Sequence, residues 1–179
     1  MKDKIKLNDI IIRKATKNDA QSLLNLTSDI LSSSDYLILT KEEFDFTVNE
    51  EEIWIDSFEK EDLNCLLVAE IDSEIIGNLS FKINQNKRIC HVGELSMAID
   101  EKYRNIGIGT RLLKYFFDFI IEQKLDFIKI NLSVIEDNIP AIELYKKFNF
   151  EIEGCLRKSV LIDNEYRNLL LMSKMIYKQ

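Results

Sequence analysis

Within one short stretch the hydrophobic period of the chain changes from that of a strand to that of a helix. Ile89 to Ile99 reads as a strand, and Gly107 to about Lys124 reads as a helix on the spacing of Ile108, Leu112, Leu113, Phe116, Ile120 and Ile121. Arg104-Asn105-Ile106-Gly107-Ile108-Gly109-Thr110 joins them, and Phe127 to Val134 follows as another strand. Strand, helix and strand make a right-handed crossover, so 91–99 and 127–134 are expected to be parallel neighbours. The junction is an anion seat. Gly107 and Gly109 let backbone approach a ligand closely, and the first helical turn has N–H groups without intrahelical acceptors at the positive end of the dipole. Arg104 adds a permanent charge and a planar donor fork. A pyrophosphate is the expected guest. Gly107-x-Gly109 has no third glycine before Leu112, and no Gly-Lys-Ser/Thr occurs, so the dinucleotide-binding and P-loop patterns lack their parts.

The rest of the chain reads as alternating elements. Ile10 to Ala15 is a short β-branched run; Thr16 then caps a helix whose apolar side is Leu23, Leu24, Leu26, Ile30 and Leu31, with Asp19 at its positive end. Ser32 to Asp35 interrupts it, and Thr40-Lys41-Glu42-Glu43 resembles a capping box opening a second, acidic helix packed through Phe44, Val48, Ile53, Trp54 and Phe58. Strands follow at Cys65 to Ile71, Ile75 to Ile83 and Ile89 to Ile99, joined by turns short enough to imply an antiparallel meander. Asn138 to Phe148 reads as a helix with Pro140 near its start, and Phe150 to Tyr177 as a hairpin turning near Asp163-Asn164-Glu165. At 179 residues the chain is expected to be one domain, with its core at about residues 8–177.

Composition removes several classes of function. A formal charge of −7 argues against nonspecific nucleic-acid binding, which needs a basic stripe. Cys65, Cys90 and Cys155 are odd in number and far apart, so they suggest neither a disulfide framework nor a zinc site, and buried thiols in a reducing cytoplasm are expected. The first six residues are charged and no window approaches about twenty uncharged apolar residues, so neither secretion nor membrane insertion is expected.

Three blocks carry a resemblance: Gly93-Glu94-Leu95-Ser96-Met97-Ala98-Ile99, Arg104-x-x-Gly107-Ile108-Gly109, and Asn138-x-x-Ala141-x-x-Leu144-Tyr145-x-Lys147-x-Asn149-Phe150. In this order they resemble the GNAT superfamily of N-acetyltransferases over nearly the whole chain. Asn149 stands where glycine commonly precedes the phenylalanine; asparagine tolerates the left-handed turn. Glu153-Gly154-x-x-Arg157 and Glu165-Tyr166-x-Asn168 with Met172 are similar to the bacterial branch that acetylates small amines or protein α-amines. The fold implied is α/β (α+β): a mixed, mostly antiparallel sheet flanked by helices, acyl-CoA N-acyltransferase-like. The resemblance implies acetyl-CoA as co-substrate and no metal. Amides from Ile106 to Thr110, among them Ile108, would cradle its pyrophosphate with Arg104 alongside and Asn105 in the same cofactor-binding loop, while backbone of Met97, Ala98 and Ile99 would pair with the pantetheine arm.

Acetyl transfer to an amine poses an electrostatic problem. A lysine-like amine with a pKa of about 10.4 is protonated at neutral pH, and making it neutral costs roughly 4 to 5 kcal/mol. A carboxylate can take that proton, and Glu94 is the candidate base; its structural alternative is a solvated strand glutamate. His91, the only histidine, falls on the opposite face by alternation. Tyr145 occupies the family's Leu-Tyr position, where a hydroxyl donates a proton to the leaving thiolate; otherwise it is a tyrosine packed on the sheet. Asn138 either caps its helix, binds the pantetheine, or does both. Adjacent Cys90 and His91 point to opposite faces of a strand, which argues against a nucleophilic dyad. The acidic residues between Glu42 and Asp62 are either a solvated face or a guide for a polycation.

The expected reaction is direct transfer from acetyl-CoA to a primary amine in a ternary complex, without a covalent acetyl-enzyme. A polyamine or amino acid is favoured over a protein N-terminus as acceptor. A protein that binds CoA without turnover is the reading of another class. The family resemblance implies that exposed strands near the C-terminus could pair between subunits in a homodimer, a state the residues alone do not fix.

Overall fold

The computed structural model describes residues 9–123 and 127–177. These residues form one seven-stranded sheet and four α-helices: β1 (Ile11–Lys14), α1 (Ala20–Ser33), α2 (Val48–Asp56), β2 (Cys65–Ile71), β3 (Glu74–Ile83), β4 (Val92–Ile99), α3 (Ile108–Glu122), β5 (Phe127–Ile135), α4 (Ile139–Lys147), β6 (Glu151–Ile162) and β7 (Glu165–Tyr177). The strand order is β1-β2-β3-β4-β5-β7-β6. Among the described strands only β4 and β5 run parallel, as the crossover through α3 requires. The β2–β3 and β6–β7 connections each put two residues in the left-handed region, Asp72 and Ser73 in one and Asp163 and Asn164 in the other, a geometry that follows strand twist.

Both faces of the sheet are covered, which explains the unbroken apolar run of β2. Leu67 and Ala69 join the core under α3 with Leu79, Phe81, Leu95, Leu112, Leu113 and Phe116; Leu66 and Val68 join the core under α1 and α2 with Leu23, Leu26, Ile55 and Phe58. Gly93 lies where the first core is tightest. A Cβ there would stand 2.2 Å from Phe81 Cζ and 2.9 Å from the Lys82 carbonyl oxygen.

Two boundaries differ from the sequence reading. The hydrogen bonds expected at Thr40 do form, Thr40 N and Oγ1 both donating to Glu43 Oε2 at 2.9 Å, but they close only a turn. The helix starts seven residues later at a second such box, Thr47 to Glu50. Residues 41–47 are almost all exposed, so no packing propagates a helix from the first box. In α2 the packed residues are Ile55 and, as expected, Trp54, followed by Phe58, while Ile53 and Val48 are exposed. Likewise β4 begins at Val92 rather than Ile89. Cys90 and His91 therefore lie in the preceding turn, where strand alternation does not govern them, and the His91 ring packs 5.5 Å from that of Phe127. Cys65 is buried as expected; Cys90 and Cys155 are exposed, because a turn and the outer strand β6 hold them. The expected helix end near Lys124 lies outside the described residues.

An ionic cluster ties β1 to the start of α1. Arg13 donates to both carboxylate oxygens of Asp19 at 2.7 Å and, through Nε, to Glu70 Oε2 at 2.7 Å. These bonds hold the Asp19 carboxyl below the ordinary carboxylate range. A depressed folded pKa stabilises the fold fully above the unfolded value of about 3.9, and that contribution disappears as pH falls through the folded value. The melting temperature is therefore expected to fall between about pH 5 and 2 more steeply in the wild type than in Asp19→Asn. Parallel curves would show that the cluster carries no such linkage.

Candidate active site

The parallel pair β4–β5 opens like a V. Register runs Val92–Lys129, Gly93–Ile130 and Glu94–Asn131, and stops there. Beyond that point β4 stays on β3 as far as Ile99–Gly77, while β5 stays on β7 as far as Ile135–Leu169. Each strand follows its own half of the sheet, so Leu95 to Ile99 have no strand partner on the β5 side. A groove of about 810 Å³ fills the opening.

Its wide end lies at the start of α3. Gly107 caps α3 with φ 95° and Asn105 has φ 63°, two left-handed residues that gather successive N–H groups into a concavity. The first helical bond runs from Arg111 N to Gly107 O, which leaves the amides of Ile108, Gly109 and Thr110 without intrahelical acceptors. Arg104 lines the groove and donates from Nε to the Ile99 carbonyl at 3.1 Å, which anchors it to the end of β4. Gly109 also lies at a close packing of three elements. A Cβ there would stand 2.7 Å from Leu144 Cδ2, 3.3 Å from Met97 Cε and 3.4 Å from Ile99 Cδ1, so its absence lets α3 sit close to β4 and α4.

The groove's walls come from both sheet faces. Met97 and Ile99 pack toward the α3 core and Ala98 toward the α1–α2 core, the alternation expected of a strand. Glu94 shares the Ala98 face and is exposed to the groove; Asn131 Nδ2 donates to its Oε1 at 3.0 Å. From the other side α4 supplies Tyr145. The Asn138 side chain caps this helix by accepting from Ala141 N at 3.3 Å, and Pro140 occupies its first turn. Tyr145 is buried against Phe150, ring centroids 5.6 Å apart, and burial pushes its hydroxyl up to about 12. That hydroxyl has no hydrogen-bond partner among the described residues.

Glu94, Met97, Ala98, Ile99, Arg104, Asn105, Gly107, Ile108, Gly109, Thr110, Asn138 and Tyr145 thus line one groove; Ile106 is exposed in the same loop. Sequence reasoning missed Asn131, and also Tyr36, Leu37 and Ile38, which cover the groove from the α1–α2 connection. The Tyr36 hydroxyl reaches the Asp137 carbonyl at 3.5 Å. An apolar Tyr36-Leu37-Ile38 run directly after the turn-forming Ser32 to Asp35 was the available signal. No acidic residue from Glu42 to Asp62 lines the groove: Glu43 and Glu50 hold their own caps, and Asp56 pairs with Lys17 at 2.7 Å. His91 and the three cysteines also lie outside it, and burial pushes the Cys65 thiol up to about 12. Among the described residues no three His, Cys, Asp or Glu side chains could hold a metal, and no helix is long and apolar enough to cross a membrane.

A mixed sheet opened between its parallel strands, with a helix N-terminus at the wide end and a carboxylate and a phenol within, defines an α/β protein of the acyl-CoA N-acyltransferase-like class. The chain belongs to the acetyltransferase (GNAT) family, whose profile matches residues 29–150. It is similar to an L-amino acid N-acetyltransferase of Escherichia coli (strain K12), 34% identical over 108 residues, 60% of this chain and 66% of that protein. It is also similar to the spermidine N(1)-acetyltransferase of the same strain, 32% identical over 106 residues, 59% of this chain and 55% of that protein. The chain thus spans between 55% and 66% of the length of these relatives. The solved structure of a GNAT-family acetyltransferase from Streptococcus pneumoniae matches with a TM-score of 0.87 at 27% identity, covering 93% of this chain and 99% of that one.

Proposed function

We propose that the protein transfers an acetyl group from acetyl-CoA to a primary amine by direct attack in a ternary complex. The observation that carries this reading is the unpaired edge of β4, which leads from the amides at the start of α3 to Glu94 within one groove. Acetyl-CoA supplies the activated acetyl group as a thioester, and three features of this chain fit it. The left-handed Asn105 and Gly107 with the first-turn amides suit a pyrophosphate, Arg104 adds charge, and the Met97–Ile99 edge offers backbone partners to an extended amide arm. Glu94 takes the proton of the ammonium form, and the neutral nitrogen then attacks the acetyl carbon and displaces sulfur. Tyr145 donates to the departing sulfur. With its hydroxyl at about 12 it stays protonated at neutral pH, and it stabilises the thiolate mainly by hydrogen bonding, since a thiol titrates near 8.5. Tyr145→Phe is expected to lower kcat about 10- to 100-fold with little change in acetyl-CoA KM. Full activity in that variant would remove Tyr145 from the chemistry.

The favoured acceptor is a small amine, a polyamine or an amino acid, in line with the two relatives named above. The cytoplasm suits a protein with three free thiols. The deciding experiment follows thiol release from acetyl-CoA with a panel of polyamines, amino acids and N-terminal peptides, with product mass measured. Release on adding a small amine, with a product heavier by one acetyl group, is expected. Acetylation confined to peptides would make it a protein N-terminal acetyltransferase, and binding of acetyl-CoA without turnover would make it a non-catalytic CoA-binding protein.

A further inference from the structure

Glu94 and Asn131 are the last register pair before β4 and β5 part. Asn131 Nδ2 donates to Glu94 Oε1 at 3.0 Å, while Asn131 Oδ1 is buried with no hydrogen-bond partner among the described residues. The neighbouring side chains of the sheet are engaged elsewhere. Ser173, the cross-strand partner of Asn131, donates to Glu153 Oε1 at 2.7 Å, and Lys129, two residues back on the same face, donates to Glu153 Oε2 at 2.7 Å. A buried carbonyl left without a donor costs stability, and an exposed glutamate at a groove wall needs no partner to be solvated. The amide orientation follows from Glu94 itself, because the flipped amide would set its oxygen against a carboxylate.

We infer that Asn131 is a positioning residue for Glu94: its amide fixes Oε1, so that Oε2 meets the acceptor's proton in one geometry. The inference rests on Glu94 being the base. The choice of donor matters chemically. A neutral amide donor holds one carboxylate oxygen in place without adding a formal charge beside it, and leaves the other oxygen open to the groove. Among the described residues Glu94 makes no ion pair.

Asn131→Leu has nearly the same shape and removes both the donor and the orphaned acceptor. It is expected to lower kcat about tenfold and leave acetyl-CoA KM within about twofold. Its melting temperature should equal or exceed that of the wild type, which a residue kept only for structure would not allow. Asn131→Ala should show the same kcat loss with a lower melting temperature, so the kinetic effect is readable even where Leu packs poorly. In the Glu94→Gln background neither change should slow turnover further, measured with acetyl-CoA and spermidine, an L-amino acid or an N-terminal peptide as acceptor. Two results overturn the positioning role while leaving Glu94 as base: full activity in Asn131→Leu, or an equal loss with and without Glu94. Full activity in Glu94→Gln, or no turnover of any acceptor by the wild type, overturns the base assignment and the positioning role with it.

Discussion

Glu94→Gln is expected to lower kcat about 100- to 1000-fold, which is about 2.7 to 4.1 kcal/mol of barrier at 1.36 kcal/mol per factor of ten. Glutamine keeps the size of the side chain and an oxygen that can accept from Asn131 Nδ2, so the geometry of the groove wall survives the change. Only the ability to take a proton is lost. Acetyl-CoA KM should stay near the wild-type value, because the residues proposed to hold its pyrophosphate, at the start of α3, are others. The gap should also narrow as pH approaches the amine's own pKa of about 10.4, where solvent supplies the neutral nucleophile. Steady-state rates from pH 7 to 10 on wild type and variant check this. A gap that stays constant over that range would mean Glu94 acts by something other than proton removal.

Gly93→Ala is expected to cost about 3 kcal/mol of stability and lower the melting temperature by about 6 to 12 °C, given about 2 to 4 °C per kcal/mol for a chain of this size. The reason is local and severe. The new methyl group would stand 2.2 and 2.5 Å from Phe81 ring carbons and 2.9 Å from a backbone oxygen. Phe81 is fully buried against Phe116, ring centroids 5.0 Å apart, so it has little room to retreat. Gly77 and Gly154 grade the effect. Alanine at Gly77 meets its nearest neighbour at 3.1 Å and should cost less; at Gly154 the nearest atom is 3.9 Å away and the change should be close to neutral. Thermal melts of the three variants check the order. Equal stability in Gly93→Ala and Gly154→Ala would mean that the sheet relaxes around the methyl group. Because Gly93 precedes Glu94, the variant should also lose activity wherever the strand shifts to make room.

Much of this was legible in the sequence because hydrophobic period and turn chemistry act over a few residues. The strand at Cys65 to Ile71, the switch of period at Arg104 to Thr110, the left-handed Asn149 at φ 60° and the Asn138 cap follow from neighbours within one or two turns. The same locality explains the error at Thr40, where the capping bonds form but no buried surface extends them into a helix. It explains the role of Gly109 as well, since the side chains that fill its missing Cβ come from β4 and α4. The amino-acid sequence by itself determined which elements exist, their order, and the glycine-rich junction between a strand and a helix. Only the tertiary structure decided where β4 leaves β5, that Gly93 is wedged against Phe81, and that Glu94 meets Asn131 across 37 residues of chain. Those outcomes depend on which half of the sheet each strand follows, and that balance of long-range pairing and packing leaves no periodic trace in the residues between.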